Sequence, residues 1–95
     1  MLKLSLIIPV YNEERHIEAC LDAVALQTVK PFEVILIDNN CTDSTLEIAK
    51  SFDFVKIIKQ KKQGLIPSRN LGFETAKGDI FGRIDADRKK KKNWV

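Results

Sequence analysis

Four short apolar segments, separated by helix-like segments, constrain the fold of this chain more than any other feature. They are residues 4–10, 32–38, 54–59 and 79–84. The first two are nearly continuous aliphatic runs, which is typical of strands buried on both faces of a parallel sheet. The third mixes lysine with aliphatic residues, so more of it should contact solvent. None approaches the roughly 20 apolar residues that span a bilayer.

Each gap between these strands carries a helical pattern. After Asn12, a suitable N-cap, apolar residues recur at three- and four-residue spacing. In the second gap, Ser44 and Glu47 have the spacing of a capping box. In the third, Pro67 suits the first turn of a helix and Gly78 its stop. The order β-α-β-α-β-α-β predicts a Rossmann-like parallel sheet of about four strands within a three-layer αβα fold.

Polar side chains follow the strands at the places where the strands end. In an open α/β sheet these places share one edge, and ligands bind there at the point where the strand order reverses. Asp38 ends the second strand, Asp85 and Asp87 follow the fourth, and Arg69 and Asn70 lie early in the third helix. Carboxylates can accept hydrogen bonds from a base or ribose, and an arginine can contact a base or phosphate. This edge therefore has the composition of a nucleotide pocket.

The Asp85-Ala86-Asp87 segment is a candidate metal site. Acids two residues apart on an extended segment point to the same side. Mg²⁺ and Mn²⁺ often bind one or two carboxylates together with substrate phosphates. The alternative interpretation is a polar loop after a strand, and the pair alone does not decide between the two. Asp43, by contrast, fits a helix start better than a ligand role, and His16 fits a solvated helix surface.

Several classes of protein are disfavoured because their motifs are missing. The first strand is not followed by G-x-G-x-x-G, and the chain contains neither G-x-x-x-x-G-K-[ST] nor G-x-S-x-G. Cys20 and Cys41 are far apart and lack the spacing of a zinc site, so both are expected as free thiols. Apolar residues make up 44% and charged residues 31% of the chain, which is ordinary for a globular domain.

Residues 88–92 form a run of five cations, whereas the rest of the chain is mildly acidic. Three interpretations stay open: a solvated tail, a phosphate-attracting patch beside Asp87, and nonspecific binding to nucleic acid or an anionic membrane. The last ranks lowest because Trp94 is the only aromatic residue near the lysines. The chain begins with a strand-like segment and not with a signal peptide. We therefore expect a cytoplasmic protein, with at most peripheral contact at the inner membrane face.

Six segments form an ordered set along the chain: residues 5–13, 33–39, 42–45, 64, 68–72 and 85–87. In this order they resemble the amino-terminal half of a family 2 glycosyltransferase of the GT-A fold. The set covers nearly the whole chain and is far more specific than any one segment. The resemblance implies a nucleotide-sugar donor, commonly a UDP-sugar, and a Mn²⁺ or Mg²⁺ ion. The loop after the second strand and the cations at 88–92 depart from the family's pattern.

The resemblance also implies roles for individual residues. Asp38 would face the base, Arg69 would lie near the base or phosphates, Asp85 would approach the ribose or metal, and Asp87 would be the principal metal ligand. The implied nucleotide-binding residues are Pro9, Tyr11, Glu13, Asp38, Asn40, Arg69 and Asp85. Residues 1–87 would form the nucleotide-sugar-binding half-domain, and residues 88–95 would begin the acceptor half. The family's catalytic base lies beyond this point, so we expect donor binding but not hexosyl transfer by the isolated chain.

A second interpretation belongs to a different class of protein. An exposed apolar sheet edge is a template for pairing with another chain, and the fourth strand is predicted to lie at such an edge. The chain could then be a non-catalytic, self-associating module or the product of a truncated gene. In either case we expect a homodimer or a larger assembly.

Overall fold

The aliphatic runs form one four-stranded parallel sheet. The computed structural model describes residues 2–86. The strands are β1 (Leu4–Val10), β2 (Glu33–Asp38), β3 (Val55–Lys59) and β4 (Ile80–Arg83). Their order across the sheet is β3-β2-β1-β4, and every neighbouring pair is parallel. The predicted fold class is confirmed, and each strand lies within one residue of its predicted bounds.

Three helices connect the strands and cover both faces of the sheet. They are α1 (Ile17–Ala25), α2 (Thr45–Lys50) and α3 (Leu65–Thr75). α1 and α2 pack on one face, whereas α3 packs on the opposite face against β1 and β2. None of the helices formed by residues 2–86 is long and apolar enough to cross a membrane.

Alternate residues of β1 and β2 build the two layers of the core. Ile8 and Leu36 face α1 and α2, whereas Ile7 and Ile35 face α3. All four side chains are fully buried. Because successive side chains of a strand point to opposite faces, a strand covered on both faces needs an apolar residue at every position. This explains why the two central strands are nearly continuous aliphatic runs.

α3 packs directly on β1 through Gly72. A Cβ atom at this position would lie 2.4 Å from Ile7 Cγ2, which is closer than two carbon atoms can approach when they are not bonded to each other. Glycine therefore sets the distance between α3 and the sheet. The first turns of α3 are thereby held close to the sheet edge where β1 and β2 end.

The amino edge of the sheet is held together by Glu33. Its Oε2 accepts hydrogen bonds from Ser5 Oγ at 2.5 Å and from the Lys77 N–H at 2.6 Å, and the Gly78 N–H donates to Ser5 Oγ at 2.8 Å. The starts of β1 and β2 are thus joined to the segment that enters β4. Burial alone would raise the pKa of Glu33, but the hydrogen bonds from Ser5 and Lys77 outweigh it and hold the pKa below its usual value.

The predicted start of α1 was wrong because a long-range contact takes the place of a local cap, whereas α2 begins directly after Ser44, as predicted. α1 begins at Ile17 and not directly after Asn12, which has φ 52° and binds a different loop. Ser44 makes no side-chain cap on α2, so the predicted capping box does not form. Instead, Asp43 Oδ1 accepts from the Thr45 N–H at 3.0 Å, which confirms the expected role of Asp43 at a helix start.

The predicted stop of α3 at Gly78 was also wrong. The helix ends at Thr75, and the next residue is already extended. Gly78 lies instead against the start of β1, where a Cβ atom would be 2.6 Å from the Lys3 carbonyl oxygen. The glycine allows this close approach and does not terminate the helix.

Candidate functional site

The carboxyl edge of the sheet gathers the three polar loops that follow β1, β2 and β3, at residues 11–16, 39–44 and 60–64. The three strands end side by side because Asp38 pairs with Val10 of β1 and with Lys59 of β3. The strand order reverses between β1 and β4. Open α/β sheets bind their ligands beside such a point.

Asn12 joins the first loop to the second. Its Oδ1 accepts hydrogen bonds from the N–H groups of Thr42 at 2.7 Å and Asp43 at 3.3 Å. The next residue continues the connection, because the Glu13 N–H donates to Thr45 Oγ1 at 2.8 Å. The loop after β1 is therefore anchored on the start of α2.

Asn39 joins the second loop to the third from inside the protein. Its Nδ2 donates to the carbonyl oxygens of Gln60 and Lys62, both at 2.9 Å. Its Oδ1 accepts from the Gly64 N–H at 2.8 Å. The side chain is fully buried, so these bonds fix the third loop and the entry to α3. Gly64 itself has φ 132°, a conformation that side chains rarely adopt.

Asn40 also joins the second loop to the third, but at the surface of the protein. It has φ 65°, and its Nδ2 donates to the Lys61 carbonyl oxygen at 3.0 Å and to Gln63 Oε1 at 2.9 Å. Sequence reasoning selected Asn40 but missed the roles of Asn12 and Asn39. The one available signal was the Asn39-Asn40 pair directly after a buried strand.

Asp38 is buried at the end of β2 and is 4% exposed. Its Oδ1 accepts from the Cys41 N–H at 2.9 Å, and its Oδ2 lies 3.5 Å from Lys59 Nζ. Burial raises the pKa of the Cys41 thiol to about 11, and Asp38 contributes to that shift. Cys41 is therefore a protonated thiol at neutral pH, and both Cys20 and Cys41 are free, as predicted.

The other selected residues lie along the first loop and on α3. Pro9 is buried in β1 opposite Ile37, Tyr11 is half-buried, and Glu13 is 3% exposed. Arg69 is half-buried in the second turn of α3, on the face of the sheet opposite α1. The loop residues thus share the rim of the sheet, whereas Arg69 approaches it from the other layer.

β4 delivers Asp85 beside β1. The Ile84 N–H donates to the Ile7 carbonyl oxygen at 3.1 Å, and the exposed Asp85 follows. Asp85 lines a groove of about 870 Å³ together with Cys20 of α1. Burial, with a contribution from the Asp85 charge, raises the pKa of the Cys20 thiol. Because β1 lies between β2 and β4, Asp38 and Asp85 flank the loop that follows β1.

For a metal ion, the described part of the chain supplies the exposed carboxylate of Asp85 directly after β4. Within residues 2–86, no group of three or more His, Cys, Asp or Glu side chains is arranged to hold an ion. Asp87 and the basic run 88–92 lie outside the described residues. Since Mg²⁺ and Mn²⁺ often use only one or two carboxylates beside substrate phosphates, Asp85 fits such a site.

The sequence of this chain is similar to those of known glycosyltransferases. The family model described as Glycosyl transferase family 2 matches residues 5–95. The chain is 40% identical over 98 residues to glycosyltransferase AglE of Haloferax volcanii, which covers 96% of this chain and 32% of AglE. It is 32% identical to glycosyltransferase GlyA of Streptococcus pneumoniae, over 98% of this chain and 13% of GlyA.

Solved structures agree with the sequence comparisons. Residues 1–349 of S. aureus TarS in complex with UDP-GlcNAc superpose with a TM-score of 0.84 at 30% identity, over 90% of this chain and 27% of that fragment. Glucosyl-3-phosphoglycerate synthase of Mycobacterium tuberculosis, in complex with Mn²⁺, UDP and glucosyl-3-phosphoglycerate, superposes with a TM-score of 0.75 at 26% identity, over 90% of this chain and 34% of that protein. The chain spans at most 34% of the length of these four relatives.

Proposed function

The chain belongs to glycosyl transferase family 2, and from this premise we propose that residues 1–87 bind a nucleotide-sugar donor, a UDP-sugar, for glycosyl transfer to an acceptor hydroxyl. The complexes of related structures with UDP-GlcNAc, or with UDP and Mn²⁺, support this donor class. We assign donor binding to these residues and place the catalytic base outside them. In the same proposal, residues 88–95 begin the acceptor half.

The observation that carries the proposal is the network of asparagine side chains at the carboxyl edge. Asn12, Asn39 and Asn40 tie the three loops to one another through hydrogen bonds of 2.7–3.3 Å. Loops that are already held in place lose less conformational freedom when a ligand binds. A nucleoside would therefore meet a preorganised polar rim.

Asp38 has the capacity to contact the base in this proposal. A carboxylate offers about four acceptor positions, and the N–H and thiol of Cys41 and the Lys59 ammonium group take up only part of them. The remaining capacity can accept a base N–H. The first loop, including Pro9, Tyr11 and Glu13, would complete the nucleoside pocket, with Asn40 beside it.

The diphosphate would lie on the other side of that loop, near β4. We propose that Asp85 and Asp87 hold a Mn²⁺ or Mg²⁺ ion there, because they follow β4 two residues apart. When bound, the ion would supply Lewis-acid stabilisation of the diphosphate leaving group. The guanidinium group of Arg69 would add positive charge near the base or phosphates.

Isothermal titration calorimetry with UDP tests the proposal. We expect UDP to bind the 95-residue chain in the presence of Mn²⁺ and more weakly without it. Asp85→Asn and Asp87→Asn should remove the Mn²⁺-dependent part of the affinity. Thermal unfolding gives a second readout, since a ligand at one hundred times its Kd stabilises the native state by about 2.7 kcal/mol.

Asp53→Asn is the matched control for these two substitutions. Asp53 is an exposed aspartate in the turn that leads into β3, at the opposite edge of the sheet. This variant should bind UDP and Mn²⁺ like the wild type. Absence of UDP binding with and without Mn²⁺ in the folded wild-type chain would refute donor binding by these residues.

A further inference from the structure

Lys59 ends the row of β3 side chains that faces α1 and α2. The two earlier members of this row, Val55 and Ile57, pack against the core on that face, whereas Ile58 packs on the opposite face. Alternate residues of a strand share one face, so Lys59 lies on the side of Val55 and Ile57. It pairs in register with Asp38 at the end of β2. A row that is otherwise apolar therefore ends in a cation beside the strand-end carboxylate.

The contact between Lys59 and Asp38 joins an accessible cation to a buried carboxylate. Lys59 Nζ lies 3.5 Å from Asp38 Oδ2, and the lysine side chain is 49% exposed whereas that of the aspartate is 6% exposed. Burial of a carboxylate is costly unless it is paired and hydrogen-bonded. The six segments that resemble the family do not include residue 59, so the resemblance implies no role for this lysine.

Contacts on both oxygens fix the plane of the Asp38 carboxylate. The Cys41 N–H donates to Oδ1 at 2.9 Å, and the Lys59 ammonium group lies at Oδ2. The terminal torsion of an aspartate is broad when nothing restrains it, so loss of the Lys59 contact would loosen this plane. With both contacts in place, the remaining acceptor positions of the carboxylate point in set directions before a ligand binds.

We propose that Lys59 is a positioning residue for base recognition: by holding Oδ2, it orients the Asp38 carboxylate to accept the ring N–H of uracil. This inference rests on the proposed binding of a UDP-sugar and assigns the selectivity for its base. A hydrogen bond weakens steeply as its angle departs from linear. A group that is already oriented also loses less freedom when the ligand binds.

The proposal predicts a preference between two pyrimidines. Uracil carries an N–H at the ring position where cytosine carries an unprotonated nitrogen. That nitrogen is an acceptor and would meet the acceptor oxygens of Asp38, so the oriented carboxylate should favour UDP over CDP. The two nucleotides share the same ribose and diphosphate. Their affinity ratio therefore reports on the base contact alone, and it should depend on Lys59.

Isothermal titration calorimetry with UDP and CDP, each with Mn²⁺, tests the proposal on the 95-residue chain. Lys59→Met keeps an unbranched apolar stem but removes the cation. It should raise the UDP Kd about five- to tenfold and the CDP Kd less than about twofold, because a hydrogen bond to a charged group contributes about 10- to 100-fold in affinity and a loosened carboxylate forfeits part of it. Lys59→Gln should give the same result, whereas Lys59→Arg, which keeps a cation, should retain most of the preference.

Two further variants separate positioning from a general loss of charge. Lys56→Met removes a cation from the opposite face of the same strand, and it should leave the Kd values of both nucleotides unchanged. In an Asp38→Asn background, Lys59→Met should cause no further change in the ratio of the two Kd values, because Lys59 acts through Asp38. Circular dichroism of each variant verifies that the protein titrated is folded.

The results that would overturn the proposal differ from those that would refute donor binding. If the wild type binds UDP and Lys59→Met weakens UDP and CDP by the same factor, the cation attracts the shared diphosphate and does not position Asp38. A preference for UDP that Lys59→Met leaves intact would overturn the proposal as well. A folded wild-type chain that binds neither nucleotide would refute donor binding itself, and this inference with it.

Discussion

Asparagine is the residue type that shapes the carboxyl edge of this sheet. Its amide group donates and accepts at once, so Asn39 can bind two carbonyl oxygens and one N–H group from the same loop. Asparagine also tolerates positive φ better than most residues, as Asn12 and Asn40 require. The polar rim therefore depends on side chains that bind protein backbone as well as on those proposed to bind a ligand.

We expect Asn39→Ala to destabilise the chain strongly. The substitution leaves the Gln60 and Lys62 carbonyl oxygens and the Gly64 N–H without their side-chain partner, which should cost about 2–4 kcal/mol. Urea unfolding followed by circular dichroism measures the difference. Asn70→Ala, at an exposed position of α3, is the matched control and should change the unfolding free energy by less than about 0.5 kcal/mol. Equal effects of the two substitutions would contradict the assigned role.

The ionisation of Glu33 makes the unfolding free energy of the chain depend on pH. Its pKa in the folded chain lies below the usual value of 4.5, so its ionised form stabilises the fold above that pH. This stabilisation is lost as the pH falls through the folded-state pKa. We expect Glu33→Gln to unfold at lower urea concentration than the wild type at pH 7. The gap should begin to close near pH 4.5 and narrow further below it.

Urea midpoints of both proteins between pH 7 and pH 3 test this expectation. Glu74→Gln, at an exposed position of α3, is the control and should shift the unfolding free energy at pH 7 by less than about 0.5 kcal/mol. A gap between Glu33→Gln and wild type that widens as the pH falls would show that the sign is wrong.

Among the elements, the strands were predictable, whereas the start of α1 and the end of α3 were not. Burial on both faces favours consecutive aliphatic residues at 6–8 of β1 and 34–37 of β2, so the local sequence carries the information. The start of α1 depends on Asn12 contacting Thr42, 30 residues away. Gly78 serves a close approach to Lys3 and not a helix stop. Contacts between residues far apart in the chain cannot be predicted from local sequence patterns.

The packing of α3 on β1 predicts that alanine substitutions at Gly72 and Gly82 have opposite effects on stability. Gly72→Ala places a Cβ atom 2.4 Å from Ile7 Cγ2, and such overpacking should cost about 1–3 kcal/mol. This exceeds the gain of about 1 kcal/mol in helix propensity. Gly82→Ala should be tolerated, because its Cβ atom would meet the side chains of Leu4 and Leu6 at 3.5 Å.

Thermal and urea unfolding of these variants measure the difference. In an Ile7→Ala background the conflict is removed, so Gly72→Ala should become neutral or stabilising, and a double-mutant cycle reports this coupling. If Gly72→Ala destabilises equally in both backgrounds, the contact with Ile7 does not set the position of α3.

Across the whole molecule, strand order decides which predicted site residues share the rim. The alternation of strands and helices predicted that acids at strand ends would share one edge, and Asp38 and Asp85 do flank the loop after β1. Sequence could not show that Asp38 is buried against Cys41 and Lys59. Nor could it show Asn39 at the centre of the rim, because its three partners come from a loop more than 20 residues away.

The most direct test of donor binding is a two-dimensional NMR titration of the ¹⁵N-labelled chain with UDP and Mn²⁺. Mn²⁺ is paramagnetic, so in the presence of UDP it should broaden the amide signals around Asp85 and the loop after β1 first. UDP with diamagnetic Mg²⁺ should shift the amides of residues 38–41, whereas those around Glu33 and Lys77 at the opposite edge should stay in place. Broadening and shifts centred on the amino edge, or spread evenly over the surface, would contradict a nucleotide-sugar site at the carboxyl edge.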